Sequence, residues 1–170
     1  MDGIGLLHDG FHRATQGVHE AVGGLDVDGL VWRPDAEANP IGWLVWHLSR
    51  IQDAQVAEIT GREQLWTTAD WATRFGLPAG AMDDGFGHTS DEVAALLPES
   101  ADALLAYHDA VAAAVARDLD TLDADTLDRV IDERYDPPVT VAVRLVSVLD
   151  DALEHVGQAA YVRGLWDRLD

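Results

Sequence analysis

After Pro137-Pro138 the chain runs VTVAVRLVSVLDDALEHVGQAAYVRGLWDRL, and this stretch constrains the fold more than any other. Val141, Leu145, Val148, Leu149, Ala152 and Val156 recur at intervals of three and four, the helical period. The double proline blocks helix before the stretch, and Thr140 suits the N-cap. Residues 141–168 are therefore expected to form one helix, ~42 Å long at ~1.5 Å per residue. VTVAVRLVSVL could open as a strand, but its continuation is helical. A long helix with one apolar stripe must bury that stripe against other helices.

The rest of the chain supplies the partners. Ile4, Leu7, Phe11, Ala14, Val18 and Val22 form one stripe, predicting a helix over 4–23 that Gly23-Gly24 stops. A loop carrying Trp32-Arg33-Pro34 follows. Asn39 as N-cap and Pro40 at the first helical position open a second helix that runs to Gly61. Residues 62–87 are punctuated by glycines and read as a long loop with room for a short helix. In it, Trp66, Trp71 and Phe75 either pack or close over the bundle's open end. Thr89 and Glu92 have capping-box spacing before a short helix. Pro98-Glu99-Ser100 opens a helix to Leu119, and residues 123–136 read as an acidic loop. The expected fold is all-α: a four-helix bundle with a long loop between helices two and three, in a single domain over 1–170.

Charge and cysteine narrow the function. Thirty-one acidic residues against eleven arginines and no lysine give a formal charge of −20. Such a surface repels nucleic acid and anionic membranes, so neither is an expected partner. With no Cys, thiolate metal sites, disulfides and Cys nucleophiles are excluded. No leader or membrane-spanning run is evident, and a cytoplasmic protein is expected.

Any metal must then be held by imidazole and carboxylate. Asp151 and His155 lie one turn apart, beside the apolar stripe of the last helix. His47, among Trp43, Leu44, Trp46 and Ile51, reads as a core residue or a ligand. One imidazole from helix two with a carboxylate–imidazole pair from the last helix would make three ligands with coordination positions left open, the layout of a catalytic divalent-metal site. His108 falls mid-stripe, as a satisfied buried group or a proton carrier beside the metal. Arg163 pairs with a carboxylate or meets an anionic substrate group. His8, His12 and His19 share the solvent boundary of the first helix, where they are surface residues or a rival metal site.

Asn39-Pro-Ile-Gly-Trp-Leu-Val-Trp-His47-Leu and Asp151-Ala-Leu-Glu-His155-Val-Gly-Gln158, with Tyr-Val-Arg-Gly behind, resemble the DinB-like family over nearly the whole chain. The resemblance implies an up-up-down-down four-helix bundle with His47, Asp151 and His155 as ligands of a divalent metal, zinc or nickel. In many members the pair on the last helix is His and His. In the branch containing mycothiol-dependent maleylpyruvate isomerase it is Glu and His; Asp151 keeps that carboxylate on a shorter arm. The implied activity is a metal-dependent S-transferase or isomerase acting between a low-molecular-weight thiol, such as mycothiol, and a small electrophile, in a homodimer. His108 and Arg163 are the candidates for catalytic roles. A non-catalytic metal- or ligand-binding bundle or a dimeric scaffold is the alternative.

Overall fold

The computed structural model describes residues 2–169. Nine helices and a two-stranded hairpin follow one another among them. The four long helices are α1 (Gly3–Val22), α3 (Ile41–Thr60), α7 (Ala101–Leu119) and α9 (Val141–Trp166). Between them lie α2 (Val27–Val31), α4 (Leu65–Thr68), α5 (Trp71–Arg74), α6 (Ser90–Ala95) and α8 (Ala124–Asp128). Strands β1 (Val130–Asp132) and β2 (Val139–Thr140) pair antiparallel, with an irregular register between Val130 and Asp132.

The helix ends follow local chemistry. Asp2, Ser100 and Thr140 each accept a hydrogen bond from the backbone N–H three residues on, capping α1, α7 and α9. Thr89 and Glu92 form the expected reciprocal capping box at α6. Gly61 ends α3 in the left-handed conformation, φ 76°, its N–H bonded to the Ala57 carbonyl. Pro40, not Asn39, is the N-cap of α3, so that helix starts one residue later than its sequence suggests.

Two stretches differ from expectation. The acidic segment 123–136 contains α8 and β1, because Asp123 caps a turn of helix and Val130–Asp132 finds a partner in Val139–Thr140. The strand reading of VTVAVRLVSVL thus holds for its first two residues only. Residues 62–87 contain two single-turn helices, α4 and α5, and residues 27–31 a third, α2.

The long helices pack in the cyclic order α1–α7–α3–α9, with α1 and α3 across the diagonal. Helix α3 is covered nearly all round, by α7, α9, α2 and α4. Its buried positions therefore include polar ones: His47, Ser49, Arg50, Gln52 and Asp53. Gly10 and Gly17 of α1 let α9 approach closely. A Cβ on Gly10 would stand 2.5 Å from Leu149 Cδ2, and one on Gly17 would stand 2.4 Å from Val156 Cγ1. No helix among the described residues is long and apolar enough to cross a membrane.

Trp66, Trp71 and Phe75 gather round Tyr107 of α7, with ring centroids 5.2, 5.1 and 5.8 Å from it. They anchor the 62–87 excursion by packing. The deeper anchor is Asp53, which is fully buried. It accepts from the backbone N–H groups of Leu65 (3.0 Å) and Trp66 (2.8 Å) and from the Tyr107 hydroxyl (3.2 Å). It also pairs with Arg62 at 3.0 Å and Arg50 at 3.6 Å. The Arg50 guanidinium lies over the Trp66 ring at 4.8 Å and donates to the Asp83 carbonyl at 3.0 Å.

Candidate metal centre

Adjacent packing of α3 and α9 brings His47 to Asp151 and His155. His47 Nε2 is 3.9 Å from Asp151 Oδ1, and His155 Nε2 is 3.6 Å from the same oxygen. One ligand atom from each residue lies within 4.8 Å of those of the other two. Separations of 3.6 and 3.9 Å are too long for hydrogen bonds. They are close to the ~3.4 Å between neighbouring ligands on a tetrahedral ion with ~2.1 Å bonds. The shorter arm of Asp still brings its carboxylate within 3.9 Å of both rings.

The orientation of each ring also suits a cation. His47 Nδ1 donates to the Asp84 carbonyl, and His155 Nδ1 donates to Gln158 Oε1 at 2.9 Å. An acceptor at Nδ1 fixes the tautomer and leaves Nε2 of both rings as a bare lone pair facing Asp151. Asp151 Oδ2 is buried with no hydrogen-bond partner. An uncompensated buried carboxylate oxygen costs ~1–3 kcal/mol or more, and a cation would remove that cost. Burial pushes the His47 pKa down, with the Asp84 carbonyl and the Asp151 carboxylate opposing. Burial acts the same way on His155, but Asp151, Gln158 and Glu154 outweigh it and hold that ring's pKa above the ordinary value.

A second layer comes from the loop before α6, which sequence reasoning missed. Trp43 stacks on His47 with centroids 4.8 Å apart and planes 9° from parallel. Trp43 Nε1 donates to His88 Nδ1 at 3.1 Å, and His88 Nε2 donates to Asp83 Oδ2 at 2.6 Å. Gly85, at φ +90°, lies flat against this stack. A Cβ there would be 2.8 Å from Trp46, 2.9 Å from Trp43 and 3.0 Å from His47 Nδ1. Gly85→Ala is therefore expected to push the loop outward and detach the Asp84 carbonyl. Zinc affinity should fall about 10- to 100-fold, as for loss of an outer-shell partner. Zinc titration against a chromophoric chelator measures this, with far-UV circular dichroism as the folding control; unchanged affinity rejects the assigned role of the loop. No sequence signal marked Asp84, because it acts through its backbone. His88 sits in a glycine-punctuated stretch where no helical face could place it.

The other sequence candidates lie elsewhere. His108 is fully buried; its Nδ1 bonds to Ser49 Oγ at 2.9 Å and its Nε2 to Thr15 Oγ1 at 3.3 Å, tying α7 to α3 and α1. Burial pushes its pKa down to about 4, so it is neutral near pH 7. Arg163 donates to the Ala21 and Gly23 carbonyls at the end of α1, at 3.1 and 2.8 Å, and to Asp167 at 2.8 Å. His8 faces Asp120 and His19 faces Asp109, on different partners. Among the described residues no second group of three metal-ligating side chains converges.

Asp151 also forms part of the wall of a cavity of about 980 Å³ between α3, α9 and the β1–β2 segment. The centre thus opens to a space that can admit a small molecule.

Comparison with known proteins identifies the family and the fold. The family profile described as the DinB superfamily matches residues 10–159. A solved structure described as a conserved protein of locus from Enterococcus faecalis is similar over 96% of each chain, at 32% sequence identity and a TM-score of 0.87. No curated protein matches the chain.

Proposed function

The chain belongs to the DinB superfamily, and from that premise we propose that it is a metal-dependent S-transferase or isomerase joining a low-molecular-weight thiol, such as mycothiol, to a small electrophile. His47, Asp151 and His155 would hold the divalent cation, zinc or nickel. When bound, that ion would lower the pKa of an incoming thiol so that thiolate is present near neutral pH. The observation that carries the reading is the buried, partnerless Asp151 Oδ2 beside two imidazoles whose Nε2 lone pairs are free.

The chain has no thiol of its own, so the sulfur nucleophile must arrive with a cosubstrate. In the transfer, the thiol gives its proton to solvent, the thiolate sulfur forms a carbon–sulfur bond to the electrophilic carbon, and the leaving group on that carbon departs with the electron pair of the bond it breaks, as halide from a halobimane. Trp43 walls the His47 side of the centre and limits water there. The cavity beside Asp151 provides room for both reactants. A cytoplasmic location, where such thiols are reduced, and a homodimer belong to the same proposal. The outward α9 stripe of Val143, Val146, Leu153 and Tyr161, all exposed, supports the dimer.

The test is turnover of mycothiol with a monohalobimane electrophile by untagged, zinc-loaded protein. His155→Ala is expected to reduce the rate at least about 100-fold, the scale on which loss of a positioned electrostatic group acts. Equal rates for the two proteins would reject the chemistry, whatever metal is bound.

A further inference from the structure

The cavity beside Asp151 is lined by as many arginines as carboxylates, Glu58, Asp132 and Asp151, an unusual balance for this molecule. The chain carries −20 overall and has only eleven cationic side chains, all arginine. Three of them, Arg129, Arg134 and Arg144, line this one cavity. Arg134 is spent: its Nε and NH2 clamp both oxygens of Asp132, at 2.9 and 2.7 Å. The other two are held by neutral acceptors. Arg144 donates to the side-chain carbonyl of Gln55, and its nearest carboxylate oxygens, on Glu58 and Asp132, are 3.7 and 3.9 Å away, beyond hydrogen-bond length. Glu58 is 74% exposed and directed to water. Arg129 donates to the Ile59 carbonyl at 3.0 Å and forms no ion pair among the described residues. Two guanidinium groups are thus fixed at a cavity wall without a hydrogen-bonded counter-charge. The planar fork of Arg matches an oxyanion two bonds at a time. Arg144 also lies at the end of the first turn of α9, where the helix dipole favours negative charge.

Resting on the metal reading above, we infer that this cavity is an anion-binding subsite, where Arg144 and Arg129 hold the oxyanion end of a small organic substrate whose reacting end lies at His47, Asp151 and His155. Arg144 and Asp151 are seven residues apart on α9, two turns on nearly the same face, or ~10.5 Å along the axis. The substrate therefore spans on the order of 10 Å between its anionic group and its reacting atom. Ile51 and Val148 offer an apolar wall for the part between, and Phe86 and Tyr135 stand exposed at the rim.

Titration calorimetry with succinate, inorganic phosphate and neutral succinamide tests the subsite, in chelator-treated and zinc-loaded protein. Succinate or phosphate is expected to bind and succinamide not to bind. Which of the two anions binds more tightly tells a carboxylate substrate from a phosphate one. Arg144→Gln should weaken that anion about 10- to 100-fold, the cost of a hydrogen-bonded charge pair. Arg129→Gln, at an exposed position, should weaken it in the same direction and serves if Arg144→Gln does not fold by circular dichroism. His155→Ala should leave anion affinity in chelator-treated protein unchanged. Arginine-dependent anion binding in protein that takes up no zinc would support the subsite and reject the metal reading. Anion binding that requires zinc and ignores both arginine substitutions would overturn the subsite and leave the metal reading intact. Absence of binding by wild-type protein, or wild-type affinity in both arginine variants, also overturns it.

Discussion

Asp151→Asn is expected to abolish tight zinc binding while leaving the metal-free protein at least as stable as before. The carboxylate supplies the only negative charge among the three converging groups, and Asn cannot replace it. The loss should exceed the about 100-fold that follows from removing an outer-shell partner. Wild-type protein with zinc at 100 times its dissociation constant should gain about 2.7 kcal/mol of stability by mass action, and the variant should gain none. The metal-free variant is spared the partnerless Oδ2, so its melting temperature should equal or exceed that of metal-free wild type. Thermal unfolding of untagged protein with and without zinc measures both effects. A zinc-dependent rise in the variant equal to that of wild type would exclude Asp151 as a ligand. The pH dependence has a definite sign. The His155 pKa is raised above its ordinary value, so protons compete for its Nε2 and zinc affinity should fall as pH drops through that pKa. His47, whose pKa burial pushes down, stays neutral over the same window and does not set it.

Asp53→Ala should be the most destabilising single change away from the metal centre. It leaves the buried guanidinium of Arg50 without its carboxylate and Arg62 with Asp118 alone, and strips the Leu65 and Trp66 N–H groups of their acceptor. Breaking a buried ion pair by removing one partner costs ~3–5 kcal/mol, a large share of the ~5–15 kcal/mol that keeps a domain folded. Asp53→Asn keeps one acceptor oxygen and should fall between the variant and wild type. Urea midpoints for the three proteins rank them. A shift for Asp53→Ala within the ~0.5 kcal/mol of an ordinary surface substitution would show that this hub does not hold the excursion. The damage should also reach the metal centre, since Arg50 grips the Asp83 carbonyl next to the residue that orients His47.

The convergence of His47, Asp151 and His155 was legible because it follows helical arithmetic. The i, i+4 spacing of Asp151 and His155 fixes them on one face of α9, and the Pro40 and Gly61 boundaries locate the helix that carries His47. Helix caps at Thr89, Ser100 and Thr140 were legible for the same reason: each is a local hydrogen bond between near neighbours. What escaped depends on long-range packing. Arg50 and Asp53 carry charges that periodicity assigns to solvent, and only the wrapping of α3 on every side buries them. The helices α2, α4, α5 and α8 have only four or five residues, little more than one 3.6-residue turn, so no apolar position can recur often enough to mark a stripe. The β1–β2 pairing needs partners on either side of Pro137-Pro138, where neither strand is long enough to show alternation. The arginine-lined cavity was invisible because its wall is assembled from α3, α9 and the hairpin, which are distant in the sequence.

The pairing of α3 with the sequence-distant α9 has a consequence for biosynthesis. His47 emerges from the ribosome more than 100 residues before Asp151 and His155, its proposed co-ligands on α9. A nascent chain that stops short of α9 offers a cation a solitary imidazole, too weak a grip to compete with cellular chelators. Under the proposed metal reading, ion capture must wait until α9 has been synthesised and packed against α3.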